Sequence, residues 1–243
     1  TSPAVLDLKE SGAVIDFWPA DDAPQTLDNV YEVLEHPRLP FVSYPYEWGF
    51  EALKAAALHH LAVQLALLEG DVSLSDASAY NVHFLGTRPI FVDVLSFQPY
   101  HEGDLWNGMR QFTDQFLSPL LLQAFTGVES NAIYRGAIEG IPAADLKRLV
   151  PFSKRLSWRF LKYITLPAAF SRLDIGKAEP KDSGKTRLSA GLPKAALRSM
   201  LKDLSAWISS LERRHRRTIW ADYESSDSYD DDSVQAKRKI VQA

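Results

Sequence analysis

Hydrophobic positions along this chain recur mostly at helical spacing, with short extended stretches confined to its first hundred residues. From Glu51 the run EALKAAALHHLAVQLALLEG is rich in Ala and Leu and closes on Gly70, which predicts a long, largely buried helix. Met109, Phe112, Phe116 and Leu120 repeat at helical intervals between Trp106 and Phe125, and Pro119 is expected to kink or divide that helix. The series continues through 143–149 and 158–164. Between Pro193 and Arg214, the residues Leu197, Leu201, Leu204, Ile208 and Leu211 line one face of an amphipathic helix. A short helical pattern at Val5, Leu6 and Leu8 opens the chain. Two extended stretches, 31–34 and 41–46, flank the proline-rich HPRLP and suggest a small β-hairpin. A second hairpin is expected from 82–85 and 90–94, joined by GTRP. The pattern predicts an α+β, mostly helical fold.

The 243 residues are 46% hydrophobic, enough to fill a core without covalent staples. Cys is absent, which excludes disulfides, thiolate catalysis and Cys-bound zinc and makes a cytoplasmic location the expectation. A net charge of −4 argues against broad nucleic-acid binding. The basic run Arg213, Arg214, Arg216 and Arg217 fits a solvated helix end. No apolar run approaches the roughly 20 residues that span a bilayer, so no membrane partner is expected. The first residues, TSPAVLDLKESG, lack the features of an export signal. They also lack an initial Met, which permits a chain cut from something longer. GKAEPKDSGKT has loop composition, and ESSDSYDDDS reads as a linker or a partner-dependent strip.

Potential chemistry concentrates in residues 74–97, LSDASAYNVHFLGTRPIFVDVLSF. A kinase-type site needs an Asp that orients the attacking hydroxyl, an Asn that holds a metal, and a second Asp beyond the next hairpin for the metals bridging the phosphates. Asp76 is followed five residues later by Asn81, and Asp93 comes twelve residues after that. Asp76 is thus the candidate base, and Asn81 with Asp93 the candidate magnesium ligands. Tyr44, Tyr46, Glu47 and Trp48, ahead of the long helix, are candidates to line the cleft at a hinge. The bland alternative has Asp76 capping a turn, Asn81 in a left-handed conformation and Asp93 capping a helix from Ser96. His59 and His60 project about 100° apart on the helix and read as packing residues rather than metal ligands. Trp106 and Arg110, one helical turn apart, suggest a cation–π pair.

Departures from an active kinase are plain. Leu74 stands where His is usual, and the metal Asp opens Asp93-Val94-Leu95 rather than Asp-Phe-Gly. No glycine-rich loop with a strand Lys precedes the hairpin; Lys9 is the sole Lys before Lys54 and lies in a helical pattern. ATP and magnesium are therefore candidate rather than assured ligands.

Four stretches, HPRLPFVSYPYEWGFEALKAAAL, residues 74–97, GDLWNGMRQFTDQFLSPLLLQAF and the closing WADYESSDSY with AKRKIV, carry a resemblance. Together they resemble the N-terminal region of the bacterial class I S-adenosylmethionine-dependent methyltransferase family, nodulation-associated members included. The resemblance implies a methyltransferase domain beginning after Ala243 as partner in the same polypeptide, with the S-adenosylmethionine site there. No Gly follows Gly191 here, so the usual glycine-rich cofactor loop is not in this chain. The expected organisation is a small-lobe remnant and hinge over 1–50, a helical protein-kinase-like large lobe over 51–219, and a linker and helix over 220–243. Three functions remain open: a non-catalytic accessory domain, a divergent magnesium-dependent phosphotransferase, and a helical interaction module.

Overall fold

The computed structural model describes residues 2–20, 30–166, 191–214 and 231–241. Elements run in the order α1 (Pro3–Glu10), β1 (Trp18–Pro19), β2 (Leu34–Glu35), α2 (Phe50–Glu69), β3 (Val72–Leu74), β4 (Val82–Leu85), β5 (Arg88–Phe91) and β6 (Phe97–Pro99). The helices α3 (Met109–Phe112), α4 (Ser118–Thr126), α5 (Asn131–Gly136), α6 (Ala143–Leu149), α7 (Phe152–Arg155), α8 (Trp158–Phe160), α9 (Lys194–Ser209) and α10 (Asp231–Val241) follow. Among the described residues three two-stranded antiparallel sheets form, β1–β2, β3–β6 and β4–β5. The fold is α+β and mostly helical.

α2 is the centre of the core. Its buried side chains, from Phe50 and Leu53 through Ala57, Leu61 and Leu68, cover one wide face of the helix, while Glu51, Ala62 and Glu69 on the opposite side are exposed. α1, β3, β5, α4 and α9 pack around it. That face also houses two polar residues, His60 and Gln64. His60 is fully buried among Phe91, Trp106, Phe112 and Phe116, and neither ring nitrogen has a hydrogen-bond partner. Its neighbour His59 reaches the Ala13 carbonyl at 2.8 Å. α9 lays its Leu197, Leu201, Leu204 and Ile208 stripe against α2. Its flanks are tied by Lys194–Asp71 at 2.6 Å and by Arg198–Glu69.

Several expectations shift. Residues 41–46 form no strand: β2 pairs with Trp18–Pro19, and a 3-10 turn covers Pro45–Glu47. Pro37, Pro40 and Pro45 each lack the N–H that a hairpin ladder needs. β3 and β6, three residues each, are too short to stand out as patterns, yet they pair in register from Val72–Pro99 to Leu74–Phe97. Pro119 does not divide its helix. α3 continues through a π-helical turn, Thr113–Leu117, into α4. Ser118 N–H donates to the Thr113 carbonyl, and the next donor would come from Pro119, which has none. The Asp114 carbonyl is thereby left for another segment, and Ile141 N–H takes it at 2.8 Å. Arg110 pairs with Asp114 at 3.7 Å while Trp106 is buried beside His60, so the expected Trp106–Arg110 stack does not form.

The chain forms two compact units, 1–213 and 214–243. Residues 1–50 belong to the first, so the boundary expected at 50 is not a break in packing. The second contains α10, whose Ile240 is exposed. The GKAEPKDSGKT loop, Arg216, Arg217, Trp220 and the boundary at 219 lie outside the described residues.

Two outcomes test this packing. Burial and the adjacent His59 push His60 down from the usual 6.5 to about 3. Between those values the unfolded chain holds a proton that the folded chain lacks, so stability falls as pH drops through that window, by up to about 1.4 kcal/mol per pH unit. Urea unfolding at pH 7 and pH 5 is expected to show a shallower loss for His60→Leu than for the wild type; an equal loss refutes the orphaned histidine. Gly140 has φ +90°, and a Cβ there would meet the Asp114 carbonyl oxygen at 2.2 Å. Gly140→Ala should therefore cost more than about 2 kcal/mol in the same assay.

Candidate functional site

Gln64, buried on α2, accepts from Leu74 N–H at 2.8 Å and donates to Ser73 Oγ at 3.1 Å, which fixes β3 against the helix. β3 then delivers the loop 75–81. Ser75 follows the β3–β6 ladder for one more step, its N–H and Oγ both donating to the Ser96 carbonyl. Asp76 turns the chain: its Oδ1 accepts from Ser78 N–H at 2.7 Å, an Asx-type turn. A 3-10 turn over Ala79–Asn81 leads directly into β4.

Asn81 and Asp93 flank the β4–β5 hairpin and meet across its open end. Asn81 Nδ2 donates to Asp93 Oδ2 at 3.1 Å, and Val92 N–H donates to the Asn81 carbonyl at 2.9 Å. Asp93 opens a 3-10 turn, Val94–Ser96, without capping it through its side chain. Its own carbonyl instead accepts from Ser96 Oγ at 2.8 Å. All three acidic and amide side chains are half-buried. Asp76 shares no direct bond with the other two; it is linked to them through the loop backbone.

The aromatic stretch divides. Tyr44 and Tyr46 stack with centroids 5.4 Å apart, and Tyr80, next to Asn81, stands 6.5 Å from Tyr44. Trp48 is 5% exposed and packs edge-on against Phe84, so its ring belongs to the core and lines no open cleft. Glu47 accepts from Tyr44 N–H at 2.8 Å and locks the turn. Asn131 Nδ2 donates to the carbonyls of Tyr46 and Trp48, fastening the stretch to α5.

Sequence reading missed the residues that hold the loop. Gln111 accepts from Ala77 N–H at 3.0 Å; Gln115, 2% exposed, accepts from Ala79 N–H at 2.7 Å and from Ser78 Oγ. Two glutamines four apart inside an apolar helix were the available signal, since a buried amide needs a partner. Lys9 is committed elsewhere, to Asp16 at 2.8 Å and to the Phe17 carbonyl at 2.7 Å. No hydrogen bond or ion pair of Asp76, Asn81 or Asp93 among the described residues involves a Lys or Arg. A cavity of about 460 Å³ lies elsewhere, lined by Val14, Ile15, Leu39, Leu85 and Ile90.

Asn81 and Asp93 offer one amide oxygen and one carboxylate. Magnesium takes one or two protein carboxylates and completes its octahedron with water and phosphate oxygens, so the pair fits the ion together with a nucleotide rather than alone. Among the described residues no group of three or more His, Cys, Asp and Glu stands ready to hold a metal, and no helix is long and apolar enough to cross a membrane.

No protein-family model matches the chain, and no solved structure matches it. The chain is similar to the nodulation protein NoeA of Rhizobium meliloti (strain 1021), with 42% identity over 227 residues, 91% of this chain and 47% of that protein. It therefore spans about half the length of this curated relative.

Proposed function

We propose that this chain is a kinase-like domain with a non-catalytic, accessory role, presenting substrate or regulating activity within a longer S-adenosylmethionine-dependent methyltransferase polypeptide. The observation that carries the reading is the Asn81–Asp93 contact at 3.1 Å. It arises from the order α2, β3, an Asp-bearing loop, Asn81, the β4–β5 hairpin, Asp93 and the returning strand β6. That order parallels the catalytic half of protein kinases, where the Asn and the second Asp hold the metals on the nucleotide phosphates. ATP with magnesium is thus the ligand class of this cleft, and Tyr44 and Tyr46 stand beside it. The half-length match to a longer relative supports a further domain, and S-adenosylmethionine is assigned to that domain.

The accessory role follows from charge. Phosphoryl transfer relies on cations fixed against the phosphates, a contribution that Asp and Asn cannot replace. Lys9 is held by Asp16 and Phe17 instead.

Calorimetry with magnesium and ATP on the full polypeptide is expected to show binding that weakens at least about tenfold in Asp93→Ala, with no phosphorylation of the protein or of small hydroxyl compounds. Loss of binding altogether in the wild type removes the kinase-like cleft. Sustained magnesium-dependent turnover that vanishes in Asp93→Ala replaces the accessory role by a divergent phosphotransferase. The 243-residue chain alone is expected to give no heat with S-adenosylmethionine; binding there would move the cofactor into this domain.

A further inference from the structure

One surface beside Asn81 is not explained by packing of the core. Tyr44 keeps 43% of its surface in solvent although it stacks on Tyr46, and the Tyr80 ring is inclined to it at 53°. Tyr80 Oη donates to the Ile138 carbonyl at 3.4 Å, which brings the next residue, Glu139, to the rim of the tyrosines. The Glu139 carboxylate accepts from Gln115 Nε2 at 3.5 Å. Its turn is seated firmly, because Gly140 sits against the Asp114 backbone and Ile141 N–H bonds the carbonyl freed by the π-turn. Behind them Tyr134, 1% exposed, has a hydroxyl with no hydrogen-bond partner; burial above all opposes its ionisation, and Tyr80 and Glu139 nearby add to that.

We propose that Tyr44, Tyr46, Tyr80 and Glu139 form a binding site for a small organic ammonium ion. The faces of phenol rings carry negative quadrupole density and attract cations within about 6 Å of their centroids. Two carboxylates stand at these rings, Glu47 on the Tyr44 backbone and Glu139 beside Tyr80. Neither forms an ion pair with Lys, Arg or His among the described residues. A patch combining π faces with unbalanced negative charge is complementary to a cation. A bare metal ion would demand several converging oxygens, which this patch lacks, whereas an alkylated ammonium is weakly hydrated and gains from the rings. A neutral sugar or aromatic ring would stack equally well without Glu139, so dependence on that carboxylate separates the classes.

Choline titrated into the protein, without nucleotide or magnesium, is expected to bind saturably and to shift the tyrosine ring NMR signals. Its uncharged isostere 3,3-dimethylbutan-1-ol should bind at least about tenfold more weakly. Glu139→Gln should weaken choline about tenfold and Tyr44→Leu about threefold, with melting temperatures near the wild type's because both side chains are at the surface. Equal binding of the isostere, unchanged affinity in both variants, or no saturable binding overturns the proposal. Because no nucleotide is present, these outcomes are independent of the magnesium–ATP test of the proposed function.

Discussion

The structure depends on one constraint: the buried face of α2 carries two polar side chains, Gln64 and His60, that are cut off from water and must be accommodated inside the protein. Gln64 meets that constraint by bonding Leu74 N–H and Ser73 Oγ. In doing so it fixes β3, and β3 sets where the 75–81 loop begins. His60 meets it differently, by remaining neutral inside an aromatic shell. An unpaired buried polar group costs roughly 1–3 kcal/mol, so the surrounding apolar contacts must offset that cost. The first groups of the candidate cleft are therefore positioned by the interior of a helix that contributes no residue to it.

A second device works from the opposite side of the loop. Pro119 cannot donate, and the helix accommodates it by widening into the π-turn at 113–117. The same turn supports Gln115, whose amide oxygen takes Ala79 N–H and Ser78 Oγ, and it frees the Asp114 carbonyl for Ile141. Loop 75–81 and the 138–141 turn thus share one anchor. Asn81 of the proposed metal pair and Glu139 of the proposed ammonium site both follow from it, so damage at the π-turn is felt at both.

The periphery is held more cheaply. The ion pairs Lys194–Asp71, Arg198–Glu69 and Arg213–Glu129 involve exposed partners and contribute on the order of 0–1 kcal/mol each. The leucine stripe of α9 against α2 is the larger contribution, since each fully buried aliphatic side chain is worth about 1.5–3 kcal/mol. One polar cluster is better built: Asp203 on α9 receives Arg159, Lys162 and the Tyr163 hydroxyl, which joins α9 to the helical turns ahead of it.

Periodicity alone located the longer helices of the first 213 residues. The Ala- and Leu-rich run that gave 51–69 became Phe50–Glu69, the stripe Leu197, Leu201, Leu204 and Ile208 of α9 turned inward with Leu211 buried just past the helix end, and the spacing singled out Asn81 and Asp93, which meet by a hydrogen bond. Local sequence suffices there because helical burial repeats every three to four residues and because loop Asp and Asn have few roles. Tertiary structure decided the rest. The β3–β6 ladder joins strands of three residues separated by more than twenty positions, and no local pattern carries such a pairing. Trp48 looked like a lining residue until Phe84 covered it. Gln111, Gln115 and Glu139 acquired meaning only when the π-turn brought them to loop 75–81, because a side-chain amide's partner is chosen by packing and not by its neighbours in sequence.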